Sequence, residues 1–513
     1  MGQVFVTAGT TTTDKDGTII KANGDTVITV TGGGGYFTIT MANGTIGTIT
    51  SGTAAVTGTP VTLVAGYNTI TVDGNGTTTL NLTIGVAANW DTEESWSDAS
   101  VGAVGASIPI STDNDLQDAN AFTAANQVLT VDAAANCLAM NWIDATDSPT
   151  LTRTATLSVY GDLTFIAGMT LTYTCIAILF RGTGNITTAG KTFGDVSFSG
   201  TLATLLDDIN SSGKITFSAG TLVTNGHTMT ENAVQGFNLS TATTKTLTPG
   251  ASVINVKAWN YTGSNLTVTA NTATIKVTGI GALEGNDADW NGADFELNGT
   301  AHTVTGEFTC THLTRTGFAA ACTVTFNSNF TCIGTLTLNG NAVGNRLTVD
   351  GTTSILTCLS FAGNYVDFST PLTLVLTNAG AGGTTFTGNG QTYPSVRQEG
   401  AGAYVLTISG DNEFAKFRND SSEAVKTTTL TPTSTQAIRN LQVFSSAANV
   451  AIFNTGGAAA TIKGHRGYCE LNHVNLTNIA AAEKYRYFAG NNSTDGGGNT
   501  NWAFTHKARA VEV

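Results

Sequence analysis

From Val131 to about Asn478 the chain is a long series of short segments in which apolar and polar residues alternate. GKTFGDVSFSG (190–200), GKITFSAGTLVTNGHTMT (213–230), FELNGTAHTVTG (295–306), GTLTLNG (334–340) and FTGNGQTYPSV (386–396) are typical. A period of two fits a strand with one face buried and one face solvated. Gly or Asn-Gly pairs separate the segments, and such pairs reverse a chain at little steric cost. The clearest turn glycines are Gly190, Gly226, Gly299, Gly340 and Gly390. Their spacing is irregular, which excludes propellers and leucine-rich repeats of fixed short period. Coils of variable length, each of roughly 20–25 residues, predict a right-handed parallel β-helix (β-solenoid) over 131–478, of about 14–17 coils. Only AAAEKYRYF (480–488) carries a pattern expected of a short helix.

The flanks read differently. Residues 1–88 hold no Cys, His or Trp and contain about seven short strands with turn signals every 8–12 residues. That spacing predicts a small antiparallel β-sandwich, an anchor or spacer. Residues 89–130 read as a linker and N-terminal cap of the β-helix; its Trp90 and Trp96 are expected to plug the open end of the core, with sugar binding as the alternative. Asp113, Asn114 and Asp115 bear a passing likeness to a calcium loop but lack its glycine and distal glutamate. Residues 479–513 are expected to cap the stack, with Trp502 and Phe504 over the last sheet edges, because uncovered edges invite aggregation. The fold class is therefore all-β.

Composition narrows the function. Charged residues make up 11% of the chain against roughly 25% in ordinary globular proteins, yet hydrophobic residues reach 41%, ample for a core. Thr and Asn take the place of charges on the exposed strand faces. The net charge of −14 and the lack of basic runs argue against nucleic acid as a partner. No apolar stretch is long enough for a helical membrane span. The start, MGQVFVTAGTTTTDKDG, has no basic n-region and no apolar h-region, so a whole gene product with this start would be made in a cytosol and leave by lysis or a dedicated machine. The seven cysteines include no C-x-x-C pair; Cys310, Cys322, Cys332 and Cys358 recur in similar strands and are expected to be stacked core thiols, a disulfide ladder being the alternative.

The GKTF-x-x-V-x-F unit, the NG-x-T turns and the terminal NSTDGGGNTNW (492–502) resemble β-helical structural proteins of tailed bacteriophages over residues 90–505. The resemblance implies a virion appendage: a tail fibre, tailspike or head fibre, homotrimeric, joined to other virion proteins, through residues 1–88 on the present reading. It implies assembly in the host cytoplasm and release with the particle. The rival readings are a polysaccharide-degrading tailspike and a bacterial surface adhesin or surface-layer component.

No nucleophile elbow, HExxH, P-loop or dinucleotide fingerprint occurs, so no catalytic residue, metal or cofactor is assigned. The six histidines are expected at surface or turn positions, and Asp207–Asp208 at an exposed corner. The richest acidic cluster is EGNDADWNGADFE (284–296). Trp259 and Tyr261, two apart and hence on one strand face, lie one to two coils from Trp290. If these rings face outward, Trp259, Tyr261 and Trp290 could stack on sugar while Asp287, Asp289 and Asp294 accept hydrogen bonds from its hydroxyls. Host-surface glycan is the ligand this site would take; a packed aromatic cluster is the alternative.

Overall fold

In a computed structural model the described residues form strands and turns and no helix. The structure describes the strands of residues 3–85 and the span 88–505, except 92–106, 118–126, 175–176, 240, 262–264, 270–271, 286–288, 318, 352–353, 370–371, 379–381, 465–467 and 483–485. A parallel β-solenoid of about 16 turns runs from residue 115 to 495, somewhat beyond 131–478 at both ends. The chain divides into two compact units, Met1–Ala203 and Thr204–Val513.

In the first unit, the strands of residues 3–85 make one sheet of five and one of four. Pairing is antiparallel except at Ile19–Ile20 with Gly35–Met41 and at Val61–Val64 with Thr78–Gly85. The solenoid of this unit stacks in register: Leu157 on Ile178 on Val196, and Val159 on Phe180 on Phe198, all buried. Phe180 and Phe198 stack at 5.4 Å. This repetition follows from period-two alternation, since an in-register parallel ladder places like residues above like residues.

The second unit continues the same principle. Cys322–Phe326 shows the strict alternation of buried and half-buried positions. Cys310, Cys332 and Cys358 occupy matching positions of successive strands as buried free thiols, as expected of stacked core cysteines, whereas Cys322, expected among them, is a buried thiol on another sheet in register with Leu347. Cys175 lies outside the described residues. The turns follow the sequence signals in part. Asn225–Gly226 and Asn389–Gly390 have positive φ at both residues, the geometry of a tight type I′ reversal. Gly299 is different: its φ is not positive, and a Cβ there would meet the Gly279 carbonyl oxygen at 2.1 Å. It is glycine because two coils approach closely.

The expected helix at 480–488 is not formed. Ile479–Ala482 and Arg486–Phe488 are strands, the first paired with Ala460–Gly464 and the second with Tyr468–Glu470. A stacked edge offers a ready row of hydrogen-bond partners, which overrides the weak local preference of an alanine run. Residues 479–495, expected in the cap, belong to the solenoid, and beyond them amides and a ring contact its last strands. Asn499 accepts from the Ile479 N–H and donates to the Leu476 carbonyl, Asn501 donates to the Ala481 carbonyl, and the half-buried Trp502 packs on Tyr487 at 5.1 Å.

Candidate functional site

The aromatic residues expected to bind sugar lie in the core. Trp259 and Trp290 have no exposed surface and Tyr261 has 3%. Trp259 stacks in register on Phe237 below and Leu283 above, and packs edge-on against Trp290 at 5.1 Å. Phe295 completes the cluster at 6.1 Å from Trp259 and 5.9 Å from Trp290. The rule that puts Trp259 and Tyr261 on one face holds, but that face is the inner one. Asp294, next to Phe295, points to the opposite side of its strand and is half-buried, in register with His312. Rings and carboxylate therefore face away from each other, and the buried rings offer no surface on which a sugar could stack. Asp287, and the side chain of Asp289, lie outside the described residues.

Other sequence candidates also change place. His302 is buried, not at the surface. Its Nε2 accepts from the Gly299 N–H at 2.8 Å, while the buried Arg315 donates to the Gly299 carbonyl at 2.8 Å. Burial, then the Arg315 charge, push the imidazole down to about 4, so it is neutral at pH 7. The pair holds Gly299 on both sides, one through its N–H and the other through its carbonyl. His312 lies on a different sheet and accepts from the Thr335 N–H. Asp113 accepts from the Ile110 N–H within its own turn, whereas Asp115 is buried beside Gln117. They do not converge as a calcium loop would require. Trp90 is buried, as expected of an end plug; Trp96 lies outside the described residues. Of Asp207 and Asp208, both expected at an exposed corner, Asp208 is exposed and accepts from the Thr228 N–H, and Asp207 is half-buried.

A concave feature that sequence reading missed is an open groove of about 390 Å³ in the second unit. Its polar lining comes from successive coils: Thr377, Glu399, Asp420, Ser422 and Glu423. Thr377 and Glu399 are register partners. Gly400 keeps the floor low, since its φ of +123° disfavours a side chain and a Cβ would meet the Thr377 hydroxyl at 2.4 Å. Asp420 is held by the Arg418 guanidinium and by the hydroxyl and N–H of Ser422. Burial raises its pKa, but these partners together outweigh burial and hold it below the ordinary carboxylate range. Asp420 is thus a fixed anion and hydrogen-bond acceptor, unsuited to donate a proton near neutral pH.

The groove was hidden in the sequence because its carboxylates are 21 residues apart, from Glu399 to Asp420, and only the coil length of this region brings them together. A search for polar turn clusters at coil spacing, here QEGAG (398–402) and NDSSEA (419–424), could have found them. Among the described residues, no group of three or more His, Cys, Asp or Glu side chains has the arrangement to hold a metal ion. No protein-family model, curated protein or solved structure matches the chain.

Proposed function

We propose that this chain is a structural component of a bacteriophage virion, a fibre, spike or decoration appendage, acting as a homotrimer and joined to the particle through residues 1–88. The observation that carries the reading is the parallel ladder from residue 115 to 495, whose inner positions are mostly apolar, with hydrogen-bonded polar side chains such as Gln398, Asn419 and Thr428 buried among them. Each coil supports the next through backbone hydrogen bonds and stacked side chains, which makes a stiff element that resists local opening. Such a scaffold suits a part that must hold its form outside a cell. The phage-like turn and terminal motifs supply the remaining support.

The test is direct. Antibodies against the purified chain should decorate phage particles at one fixed position, and native mass measurement should give about three times the 52.7 kDa of one chain. A mass of one chain would remove the trimer; finding the protein on cells grown free of phage would replace the virion reading with the adhesin reading.

A second reading, polysaccharide cleavage by a tailspike, is favoured by one observation, the groove lined by Glu399, Asp420 and Glu423. Glycoside hydrolysis needs one carboxyl as proton donor and another as base or nucleophile. Asp420 fits only the ionised role, leaving Glu399 or Glu423 as donor. Incubation with host capsule should leave chain lengths unchanged if the protein is purely structural. Shortening that disappears in Glu399→Gln or Glu423→Gln would establish the enzyme.

A further inference from the structure

Within the second unit, one outward face of five stacked strands is built of small hydroxyl and methyl side chains. Five strand segments stack in register: Thr335–Leu336–Thr337, Ser360–Phe361–Ala362, Thr385–Phe386–Thr387, Thr407–Ile408–Ser409, and Thr429–Leu430 followed by Thr431. The middle residue of each is buried, and Phe361 stacks on Phe386 at 5.1 Å. The flanking residues face outward and are half-exposed or exposed. They form a two-dimensional array of hydroxyl and methyl groups, without a charge among them. The other strand run of the same coils is unlike it, carrying Arg397, Glu399, Lys416 and Arg418 on its outward side. Freedom from charge therefore distinguishes this face from the other strand run of the same coils.

We propose that this array is a binding surface for ordered water, and that the protein adsorbs to ice. Three properties support this. The first is spacing: parallel strands lie about 4.8 Å apart, and alternate residues along a strand about 6.6 Å apart. The inter-strand distance is close to the shorter repeat of oxygen atoms on the prism face of hexagonal ice, and the distance along the strand falls somewhat short of the longer one. The second is rigidity, because threonine is stiff at χ1 and the ladder beneath is anchored by a filled core. The third is composition. Methyl groups favour an ordered water layer, hydroxyls bond into it, and the absence of charge leaves no strongly hydrated ion to disrupt it.

The internal hydrogen bonds of the array are compatible with this role. The Ser360 hydroxyl accepts from the Thr385 N–H, the Thr431 hydroxyl accepts from the Gly410 N–H, and the Thr429 hydroxyl donates to Asn454. A hydroxyl has one donor and two acceptor sites, so each of the three retains capacity for water while its orientation is fixed. The inference is independent of the virion reading.

The experiment is ice-affinity partition of the full chain, mixed with a reference protein that ice excludes, together with microscopy of single ice crystals. The chain should be enriched in the ice fraction and should facet the crystals on prism planes. Thr385→Lys combined with Thr407→Lys should abolish both effects with melting temperature unchanged, whereas Thr325→Lys, outward on another sheet, should retain them. If the double variant melts early, Thr407→Lys alone serves for the comparison. Exclusion of the wild-type chain from ice overturns the proposal. Equal enrichment of the folded lysine variant overturns the assignment to this face.

Discussion

Replacing Trp290 tests whether the aromatic cluster is core or surface, and two substitutions separate the contributions. Trp290 is fully buried, with Trp259 at 5.1 Å and Phe295 at 5.9 Å. Trp290→Ala removes the whole indole from a packed interior and should cost about 3–5 kcal/mol. Trp290→Phe removes less. It leaves a smaller void but also deletes an indole N–H that has no hydrogen-bond partner among the described residues, as is also true of Trp259. Burying such a donor unpaired costs about 1–3 kcal/mol, comparable with the cost of the smaller void. The two terms oppose each other, so the Phe variant should lie within about 1.5 kcal/mol of wild type. In a double-mutant cycle, Trp259 and Trp290 should couple by about 0.5–1.5 kcal/mol, the range for edge-on aromatic pairs. Urea unfolding by circular dichroism, with hydrogen exchange across the strands 253–297 as a local readout, supplies the numbers. An Ala variant as stable as wild type would refute the reasoning and return the rings to the surface.

Other expected outcomes follow from buried groups. Burial raises the Asp115 carboxyl to about 7, only partly offset by the Gln117 hydrogen bond, against an unfolded value of 3.8. The folded form therefore holds a proton that the unfolded chain has lost, so stability near Asp115 should fall as pH rises from about 4 to about 7, by on the order of 4 kcal/mol, and stay level above. Hydrogen exchange of that coil, corrected for intrinsic rates, should show this, and Asp115→Asn should abolish it. His302 has the opposite sign: its folded value of about 4 lies below the ordinary 6.5, so stability should fall by on the order of 3 kcal/mol as pH drops through that window. His302→Asn should flatten the dependence. Cys310, Cys332 and Cys358 should resist alkylation in the folded protein and react together on unfolding, as read by mass spectrometry.

Much of the architecture is present in the sequence. Alternation of Val, Ile, Leu and Phe with Thr and Asn sets strand after strand, and Asn-Gly pairs such as Asn225–Gly226 set the reversals, because both are local consequences of side-chain direction and backbone sterics. The stacked cysteines are legible for the same reason. What sequence could not decide is which of two strand faces turns inward. Period two fixes that Trp259 and Tyr261 share a face, but the ladder beneath, with Phe237 under Trp259, makes that face the core. Nor could it decide how far each coil runs before it returns. That length varies along the chain, and it alone brings Glu399 beside Asp420 and lines up Thr385, Thr407 and Thr429. The stretch 480–488 shows the same limit, since an alanine run with helical potential became strand where open edges awaited pairing. Local rules act on a few neighbouring residues, whereas face, coil length and edge pairing depend on contacts about twenty residues apart, which form only when the stack does.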